Sequence, residues 1–313
     1  MISPSQRALE HVRGLFPEAS PVPAAPITVN FHPDRLLAGG ATVAERLAGE
    51  GVYRSQFETG ISNGGLTAYP GGDRDRWEQR MFGGAYTGAA GRPLYGGLNL
   101  ACYPDGASPR FGSCHLVLAE AVSLRATFSH GDSFTEPAVV GTATTFRGVW
   151  ESLLSEVART GRALNLPAPG PAEWVRALGV PRTAAGRAMD DYVEAQIHGG
   201  LTLAADVTAV VADPSFRGTP VEAHLRALGS PLRWAPGFRL AAAEFPAELR
   251  GPEVPALAAA VGERFGRETL DAELVGRAAR EPSTWAGFGG RAEVLQLLKY
   301  VWHILVLRGE PAG

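Results

Sequence analysis

Two stretches of the sequence concentrate side chains that can carry chemistry, and the first is residues 52–65, VYRSQFETGISNGG. Its apolar start predicts a strand over residues 52–57, with Arg54 and Gln56 near the strand end and a glycine-rich loop after it. An arginine there can hold a phosphate with both arms of its guanidinium, and small residues let the backbone approach a ligand closely. We therefore predict a ligand-binding segment that contains Arg54, Gln56, Gly60, Ser62, Asn63 and Gly64.

The second stretch is residues 189–200, MDDYVEAQIHGG, in which polar and apolar residues alternate. Successive side chains of a strand point to opposite faces, so the alternation predicts one polar and one apolar face. The apolar sequence that follows at 201–212 places the polar row beside the core. The residues predicted to share the polar face and to point into one cleft are Tyr192, Glu194, Gln196 and His198.

Smaller polar clusters lie elsewhere in the chain. His32 follows an apolar strand in NFHPDR, where a histidine can bind a ligand, transfer protons or ligate a metal. The chain has no H-x-H or H-x-x-x-H spacing, so we predict that no metal is bound. Aromatic residues beside glycines, such as Tyr95, suit a flat ligand. In SPRFGSC, Arg110 and Ser113 add a cation for phosphate and a hydroxyl.

The elements that must position these residues predict a mixed α+β fold. Short apolar stretches dominate the first part of the chain, and helical periodicity dominates after Pro252. Because helices and strands do not alternate strictly and no G-x-G-x-x-G opens a helix, we do not expect a Rossmann fold. The predicted strands are 27–31, 52–57, 94–100, 114–118, 124–128, 191–197, two pieces within 201–212, and 238–245; the predicted helices include 73–81, 146–160, 255–265, 268–280 and 291–308.

The same pattern divides the chain into three parts. We predict an N-terminal helix and connector at 1–26, an α+β catalytic domain at 27–250, and a helical C-terminal cover at 251–313 packed on that domain. Both residue-dense stretches fall within the central part, as expected if they serve one site.

Composition and charge limit the ligand and the compartment. The net charge of −3 at pH 7 gives no general attraction to nucleic acid or to a membrane surface. Lys299 is the single lysine among 29 basic residues, so a phosphate clamp must be built mainly from arginine or backbone amides. Two cysteines without metal spacing, no leader pattern at the N-terminus, and an apolar stretch at 294–307 broken by polar residues predict a cytoplasmic protein without a membrane partner.

The motifs NFHPDR, YRSQFETGISNGG, FGGAY, RPLYGGLNL, SPRFGSC and YVEAQIHGG resemble a family of bacterial proteins of unknown function over residues 25–220. Their order also resembles, more loosely, the ADP-ribosyltransferase superfamily. That resemblance implies a split β-sheet core with flanking helices. It implies three site positions: an early Arg54 or His32, a middle Ser113 or Tyr95, and a late Glu194. In the superfamily's E-x-E pattern the second position carries the essential carboxylate. Gln196 stands there in this chain, so either Glu194 takes the role or the match is shifted.

The resemblance implies a NAD-dependent ADP-ribosyltransferase or NAD glycohydrolase that cleaves the bond between nicotinamide and ribose. NAD is then the cofactor, and the acceptor is an unidentified protein, nucleic acid or small molecule. Cleavage builds positive charge on the ribose, which a carboxylate such as Glu194 stabilises best in the transition state. Arg54 would hold the pyrophosphate.

Two other functions fit the same residues. One is a metal-dependent or acid/base hydrolase of a phosphorylated or nucleotide substrate, which would use His32, Asp34, Asp190, Asp191 and His198. The other is a non-enzymatic module whose glycine-aromatic loops bind a partner or metabolite. Nicotinamide release from NAD supports only the transferase, and loss of activity with a chelator supports only a metal-dependent hydrolase.

Overall fold

A large sheet organises the protein, seen in a computed structural model that describes residues 2–60, 68–89, 91–182 and 186–312. The strands of this sheet are β1 (Ile27–Phe31), β2 (Leu94–Leu98), β3 (Cys114–Leu118), β4 (Ala126–His130), β5 (Val140–Thr142), β8 (Val193–Ile197), β9 (Val207–Ala212) and β10 (Leu232–Trp234). Two short hairpins pair β6 (Arg162–Ala163) with β7 (Leu166–Pro167) and β11 (Leu240–Ala241) with β12 (Thr269–Leu270). The order in the eight-stranded sheet is β10-β9-β3-β1-β2-β8-β4-β5. Among the described strands of this sheet, β9 and β10 pair in parallel and the other neighbours pair antiparallel.

Helices flank the sheet, so the prediction of a mixed α+β fold is confirmed. The helices are α1 (Pro4–Leu15), α2 (Val43–Glu50), α3 (Gln56–Thr59), α4 (Asp73–Met81), α5 (Arg147–Thr160), α6 (Pro171–Ala177), α7 (Leu203–Asp206), α8 (Pro220–Arg226), α9 (Glu253–Phe265), α10 (Ala272–Arg280) and α11 (Arg291–Arg308). Of the helices described, none has the length and hydrophobicity needed to cross a lipid bilayer.

The sheet has an apolar face that forms the main core. Val193, Ala195 and Ile197 of β8 are fully buried on this face, in the same hydrophobic cluster as Phe128 of β4. Helix α5 adds its periodic apolar side chains to the cluster, and Phe128 meets Phe146 edge-on at 5.6 Å between ring centroids. Helices α9, α10 and α11 bury their apolar faces in the same cluster, so the C-terminal helices share the core of the sheet.

The opposite face of the sheet is also buried, although it is polar. Glu194 lies opposite Gly97 of β2 and Ser129 of β4. Gln196 lies opposite Tyr95 and Thr127 on the same two neighbours. A smaller hydrophobic cluster from α1, α4 and the segment 82–86, with Trp77 at its centre, packs over this side of the sheet. The polar row is therefore shielded from water and must find its hydrogen-bond partners inside the protein.

The predicted strand at 52–57 is wrong. Val52 makes only an isolated bridge to Thr202, and the chain then turns into the short helix α3. The side chain of Ser55 accepts a hydrogen bond from the Glu58 amide, and the Glu58 carboxylate accepts one from the Ser55 amide. This reciprocal capping box is encoded by Ser55-x-x-Glu58, and it outweighed the apolar start of the segment.

Two further elements differ from the predicted ones. Within 201–212 only β9 is a strand, because the residues before it form the one-turn helix α7. In 238–245 the strand shrinks to the two residues of β11. Helix α10 begins at Ala272 rather than 268, because the Asp271 side chain caps it by accepting a hydrogen bond from the Leu274 amide.

A glycine holds the end of β1 against the turn before β3. A Cβ on Gly112 would lie 2.0 Å from the carbonyl carbon of Phe31, directly before His32. We predict that Gly112→Ala lowers the free energy of unfolding by about 1–3 kcal/mol. The new Cβ would clash with backbone atoms of Phe31, which cannot move aside as a side chain can. Urea denaturation followed by circular dichroism measures the loss.

The matched control is Gly14→Ala in α1, where a Cβ meets nothing within 4 Å. That change should leave stability unchanged or raise it by up to about 1 kcal/mol. Equal stability of the two variants would contradict the close approach of Gly112 to β1.

Candidate functional site

An open cleft lies beside β1, β2 and β8, and its volume, counted with the solvent at its mouth, is about 1060 Å³. The polar and charged side chains that line it come from segments far apart in the sequence. They are Asn30, His32, Arg35, Arg46, Tyr53, Arg54, Ser55, Gln56, Thr59, Arg74, Tyr95, Ser108, Tyr192 and Glu194. Apolar walls are supplied by Phe31, Leu37, Val43, Leu47, Val52, Pro93, Leu94 and Phe111. The cleft therefore combines polar groups with apolar walls, as ligand sites commonly do.

Glu194 forms a buried part of the cleft wall, with 3% of its surface exposed. Its Oε2 atom accepts hydrogen bonds from the Ser133 amide at 3.3 Å, the Ser133 hydroxyl at 3.2 Å and the Tyr192 hydroxyl at 3.2 Å. Its Oε1 atom accepts one from the Gln196 amide at 3.0 Å. A carboxylate has about four acceptor positions, two on each oxygen. Within the described contacts, Oε1 keeps one position for a ligand hydroxyl.

The groups around Glu194 shift its pKa in opposite directions. Burial raises the pKa of Glu194 above its ordinary value of 4.5, and the nearby Asp132 carboxylate raises it further. Arg74 and the hydrogen bonds from Gln196 and Ser133 lower it. The guanidinium of Arg74 donates to the Ser133 hydroxyl, which itself donates to Glu194, so the cation is linked to the carboxylate through one hydroxyl.

A second buried carboxylate, Glu78 on α4, supports the cleft from behind Tyr95. Its oxygens lie 2.7 Å from the Tyr95 hydroxyl, which donates to it, and 3.0 Å from Nη1 of Arg92. Burial raises the pKa of Glu78 to about 7. Arg74 lies over the Tyr95 ring, with its Cζ 4.1 Å from the ring centroid. The Tyr95 side chain is thus fixed at both its hydroxyl and its ring while it faces the cleft.

Gln196 and His198 lie behind the cleft rather than in it, so the prediction that all four members of the polar row point into one cleft is wrong. Gln196 is fully buried; its amide nitrogen donates to Ser129 at 3.1 Å, and its oxygen accepts from Thr127 at 2.7 Å. The two ring nitrogens of His198 lie 2.6 Å from the Tyr86 hydroxyl and 3.1 Å from the Thr127 hydroxyl. Burial lowers the pKa of His198 to about 3, so this ring is neutral at pH 7. Tyr192 and Glu194 are the members of the row that line the cleft.

The charged groups of the cleft are mainly cationic. Arg35, Arg46, Arg54 and Arg74 line it, and Glu194 is the one carboxylate among its described lining residues. Arg54 lies at the rim, where it contacts Glu50 at 2.9 Å and Glu58 at 3.0 Å. Arg46 also pairs with Glu50, at 3.2 Å, so these two guanidinium groups are shared with carboxylates outside the cleft lining. Planar guanidiniums suit phosphate oxygens, so the lining favours an anionic ligand.

Comparison with known proteins bears on this arrangement. The family model described as "Protein of unknown function (DUF3626)" matches residues 26–307. The chain belongs to this family. No protein among the curated ones matches it. The predicted membership in a family of uncharacterised proteins is thereby confirmed, and the site has to be interpreted from its own chemistry.

In this DUF3626 protein, several predicted site residues meet as expected. Arg54 and Glu194 are 140 positions apart in the sequence, yet both line the cleft. His32 and Tyr95 line it as well, and so does Gln56, whose buried Oε1 atom makes no hydrogen bond in the described part of the chain. Burial, followed by Arg35 and Lys299, lowers the pKa of His32 to about 3, so His32 meets a ligand as a neutral ring.

Other predicted residues lie elsewhere. Gly60 ends α3 with a φ of 65° and does not line the cleft. Ser113 directly precedes β3, outside the cleft lining, because the turn at 109–112 directs that part of the chain toward α11. Arg110 lines a different cavity, where it pairs with Asp190 and with Asp132 at 3.4 Å. Ser62, Asn63 and Gly64 lie outside the described residues.

Arg74 and Glu78 are the site residues that sequence reasoning missed. Both lie on α4, whose sequence DRDRWEQRM is charged all round and gives no sign of which face is buried. The one available signal is that Arg74, Trp77 and Glu78 are spaced three and four residues apart and therefore share a helix face. An arginine and a glutamate beside a tryptophan on one face indicate a buried ion-pairing surface.

The residues of the hydrolase hypothesis are not brought together. His32 and Asp34 line the cavity that Arg110 lines, whereas His198 is enclosed by Tyr86 and Thr127. In the described part of the chain, the one group with metal-like spacing is His130, Glu156 and Asp191. Asp191 already accepts hydrogen bonds from the amides of Leu164 and Asn165, and His130 contacts Glu156 at 2.9 Å and Ser152 at 2.9 Å. This group lies outside the cleft lining, so it offers no chemistry to the cleft.

The position of Gln196 predicts what a carboxylate there would do. Gln196→Glu would replace an amide donor 3.0 Å from the Glu194 carboxylate by a second buried acid. We predict that it destabilises the protein by about 3 kcal/mol at pH 8. The Glu194 carboxylate would lose the hydrogen bond from the Gln196 amide and face a second buried carboxylate. The folded state would hold a proton that the unfolded state releases. Stability should therefore fall as pH rises and recover toward pH 5.

Thermal unfolding at pH 5 and pH 8 measures the effect. The control is Gln6→Glu, an exposed position in the capping box of α1 where glutamate serves equally well. If the Gln196→Glu protein is as stable as the control at pH 8 and releases nicotinamide from NAD faster than the wild type, residue 196 is the catalytic position.

Proposed function

We propose that the protein is a NAD-dependent ADP-ribosyltransferase or NAD glycohydrolase that cleaves the bond between nicotinamide and ribose. The observation that carries the proposal is the convergence of His32, Tyr95 and Glu194 on one cleft. These residues follow or lie on β1, β2 and β8, which are neighbours in the sheet. They occupy the early, middle and late positions that the resemblance to ADP-ribosyltransferases implies. We extend the proposal to the fold, as an ADP-ribosyltransferase-like core within the large sheet.

The charges of the cleft support a dinucleotide as the substrate. A pyrophosphate carries two negative charges, and four guanidinium groups line the cleft. Rings from Tyr95, Phe111 and Tyr192 offer flat surfaces to the nicotinamide, and Phe111 and Tyr192 meet edge-on at 6.1 Å.

In the proposed reaction the bond between the ribose C1′ and the nicotinamide nitrogen breaks. Its electron pair leaves with nicotinamide, and positive charge develops on the ribose. Oε1 of Glu194, which keeps an acceptor position, receives the hydrogen bond of the ribose 2′-hydroxyl and stabilises that charge. An acceptor hydroxyl, amine or water then attacks C1′ and loses its proton to the solvent. Arg74 and Gln196 hold the carboxylate in place throughout.

Removing the charge of Glu194 separates binding from turnover. Glu194→Gln can still accept a hydrogen bond but cannot offset positive charge, so we predict nearly unchanged NAD binding and a turnover lowered roughly 10²- to 10³-fold. Calorimetry measures NAD binding, and chromatography of released nicotinamide measures turnover. Glu263→Gln, an exposed change on α9, is the matched control. A Glu194→Gln protein with wild-type turnover refutes the role of Glu194.

The rate should depend on pH through the same carboxylate. Because burial raises the pKa of Glu194, kcat/KM for NAD should fall as pH drops through a value above 4.5. Arg74→Met removes a cation that lowers this pKa, so the acid limb should move to higher pH. Arg13→Met, exposed on α1, should leave the limb in place, and circular dichroism checks that each variant is folded. An acid limb that stays in place in Arg74→Met argues against ionised Glu194 as the active form.

A second candidate function is a binding module for an anionic ligand. The observation in its favour is that four donors already hold the Glu194 carboxylate, so most of its acceptor capacity is used within the protein. Wild-type protein that binds NAD but releases no nicotinamide, with any acceptor offered, would favour this function. Nicotinamide release that persists in a chelator would exclude a metal-dependent hydrolase.

We propose that the protein works in the cytoplasm. Cys102 and Cys114 are both free thiols, which fits a reducing compartment. The acceptor class is decided by the same assay, run with water alone and then with protein, nucleic acid or small-molecule acceptors.

A further inference from the structure

A second cavity, open to solvent, lies between the segment after β1 and helices α10 and α11. Its volume, counted with the solvent at its mouth, is about 950 Å³. Its charged and polar lining residues are His32, Asp34, Arg35, Arg110, Arg291 and Lys299. Apolar side chains, among them Leu295, Leu298 and Trp302, line the rest of it. The cavity therefore has a cationic part and an apolar part.

The cations of this cavity are poorly compensated by carboxylates. Four lining residues carry positive charge, and Asp34 is the one acid among the described lining residues. Arg110 pairs with Asp132 and Asp190, but in the described contacts neither Lys299 nor Arg291 makes an ion pair. The buried Nε of Arg110 also makes no hydrogen bond with a described residue. Arg291 is exposed and Lys299 is half-buried. This surplus of positive charge beside the cavity favours a bound anion.

Asp34 does not remove this surplus. Its Oδ2 atom is buried without a hydrogen-bond partner among the described residues and lies 3.8 Å from Arg280, outside the cavity lining. Burial raises the pKa of Asp34 to about 7, so at pH 7 it carries only part of a negative charge. Gly276 of α10 passes directly over this carboxylate, since a Cβ there would lie 1.4 Å from Oδ2.

The pKa of Lys299 reflects the same surplus. Burial, followed by Arg110, Arg35 and Arg250, lowers the pKa of Lys299 to about 8, and Asp132 opposes them. His303, one turn further along α11, is buried with both ring nitrogens lacking a hydrogen-bond partner in the described contacts. Its pKa is lowered by burial, and by Arg110, Arg250, Lys299 and His32. A nearby anion would favour the charged form of each of these groups.

We propose that this second cavity is a binding site for a phosphorylated ligand, with the phosphoryl group held by Arg110, Arg291 and Lys299 and the apolar part against Trp302. A phosphoryl group carries nearly two negative charges at pH 7 and presents three acceptor oxygens, which matches several converging cations better than a carboxylate does. The site is separate from the NAD chemistry proposed for the cleft and stands whether or not the cleft cleaves NAD.

His32 and Arg35 line both the cleft and the cavity. The His32 ring packs edge-on against Trp302, with 5.3 Å between ring centroids. The two spaces therefore share a wall, and occupation of one can be detected from the other. Because His32 and Arg35 border both spaces, the test must distinguish phosphate bound in the cavity from NAD bound in the cleft.

The single lysine of the chain makes the test direct. Protein grown with lysine labelled with carbon-13 at Cε gives one side-chain signal, that of Lys299. The signal should titrate near pH 8 in chloride. Inorganic phosphate or pyrophosphate at the same ionic strength should move the midpoint upward by about 1 pH unit or more, saturably, because an anion favours the charged amine. A midpoint that phosphate moves no further than chloride does would overturn the proposal.

Matched variants exclude a general charge effect. Arg291→Met should weaken phosphate binding at least about 10-fold, because it removes one of the clamping cations. Arg308→Met, an exposed change at the far end of α11, should leave it unchanged. Equal weakening by both overturns the assignment of the site.

Arg46→Met separates the two proposals, because Arg46 lines the cleft and does not line the cavity. It should leave phosphate binding in the cavity at wild-type affinity. If it weakens phosphate binding as much as Arg291→Met does, the anion lies in the cleft and the second site is refuted. If wild-type protein never cleaves NAD but the Lys299 signal still responds to phosphate, the proposed enzymatic function fails and the second site stands.

Discussion

Burial of the Glu194 carboxylate is the constraint on which the polar half of the structure depends. An ionised carboxylate away from water costs several kcal/mol unless hydrogen bonds and charges compensate it. Ser133, Tyr192 and Gln196 supply four donors between them. Two of these residues make further hydrogen bonds that fix their positions. The Ser133 hydroxyl accepts one from Arg74, and the Gln196 amide bonds to hydroxyls of β4. The network therefore extends outward from one acid across two strands, β8 and β4, to the helix α4.

Covering this network explains why the sheet carries helices on its polar side. Trp77 and Phe82 pack there with α1 in a small hydrophobic cluster, and Phe82 meets the His198 ring at 5.0 Å. Helix α4 places apolar and ionic side chains on the same surface, so it excludes water and supplies Arg74 as a counter-charge. The cleft opens where this cover ends, at Tyr95 and Glu194.

Histidines contribute little positive charge to these sites. Burial lowers the pKa values of His32, His115 and His198 to about 3, so all three rings are neutral near pH 7. The positive charge around the cleft and the second cavity comes from arginines and from Lys299. Arginine stays protonated in partly buried positions, which lets it hold an anion where histidine cannot.

The sequence alone determined the features that have a local pattern. Alternation predicted both faces of β8, and periodicity predicted α11. The capping box at Ser55 was also present in the sequence, although the apolar residues beside it favoured a strand. Tertiary structure alone decided that Glu194 reaches the cleft while Gln196, equivalent by alternation, lies beneath its cover. It also selected the buried face of α4. Both outcomes depend on the register of strands and on a helix packed from a distant segment, and such long-range contacts leave no local pattern in the sequence.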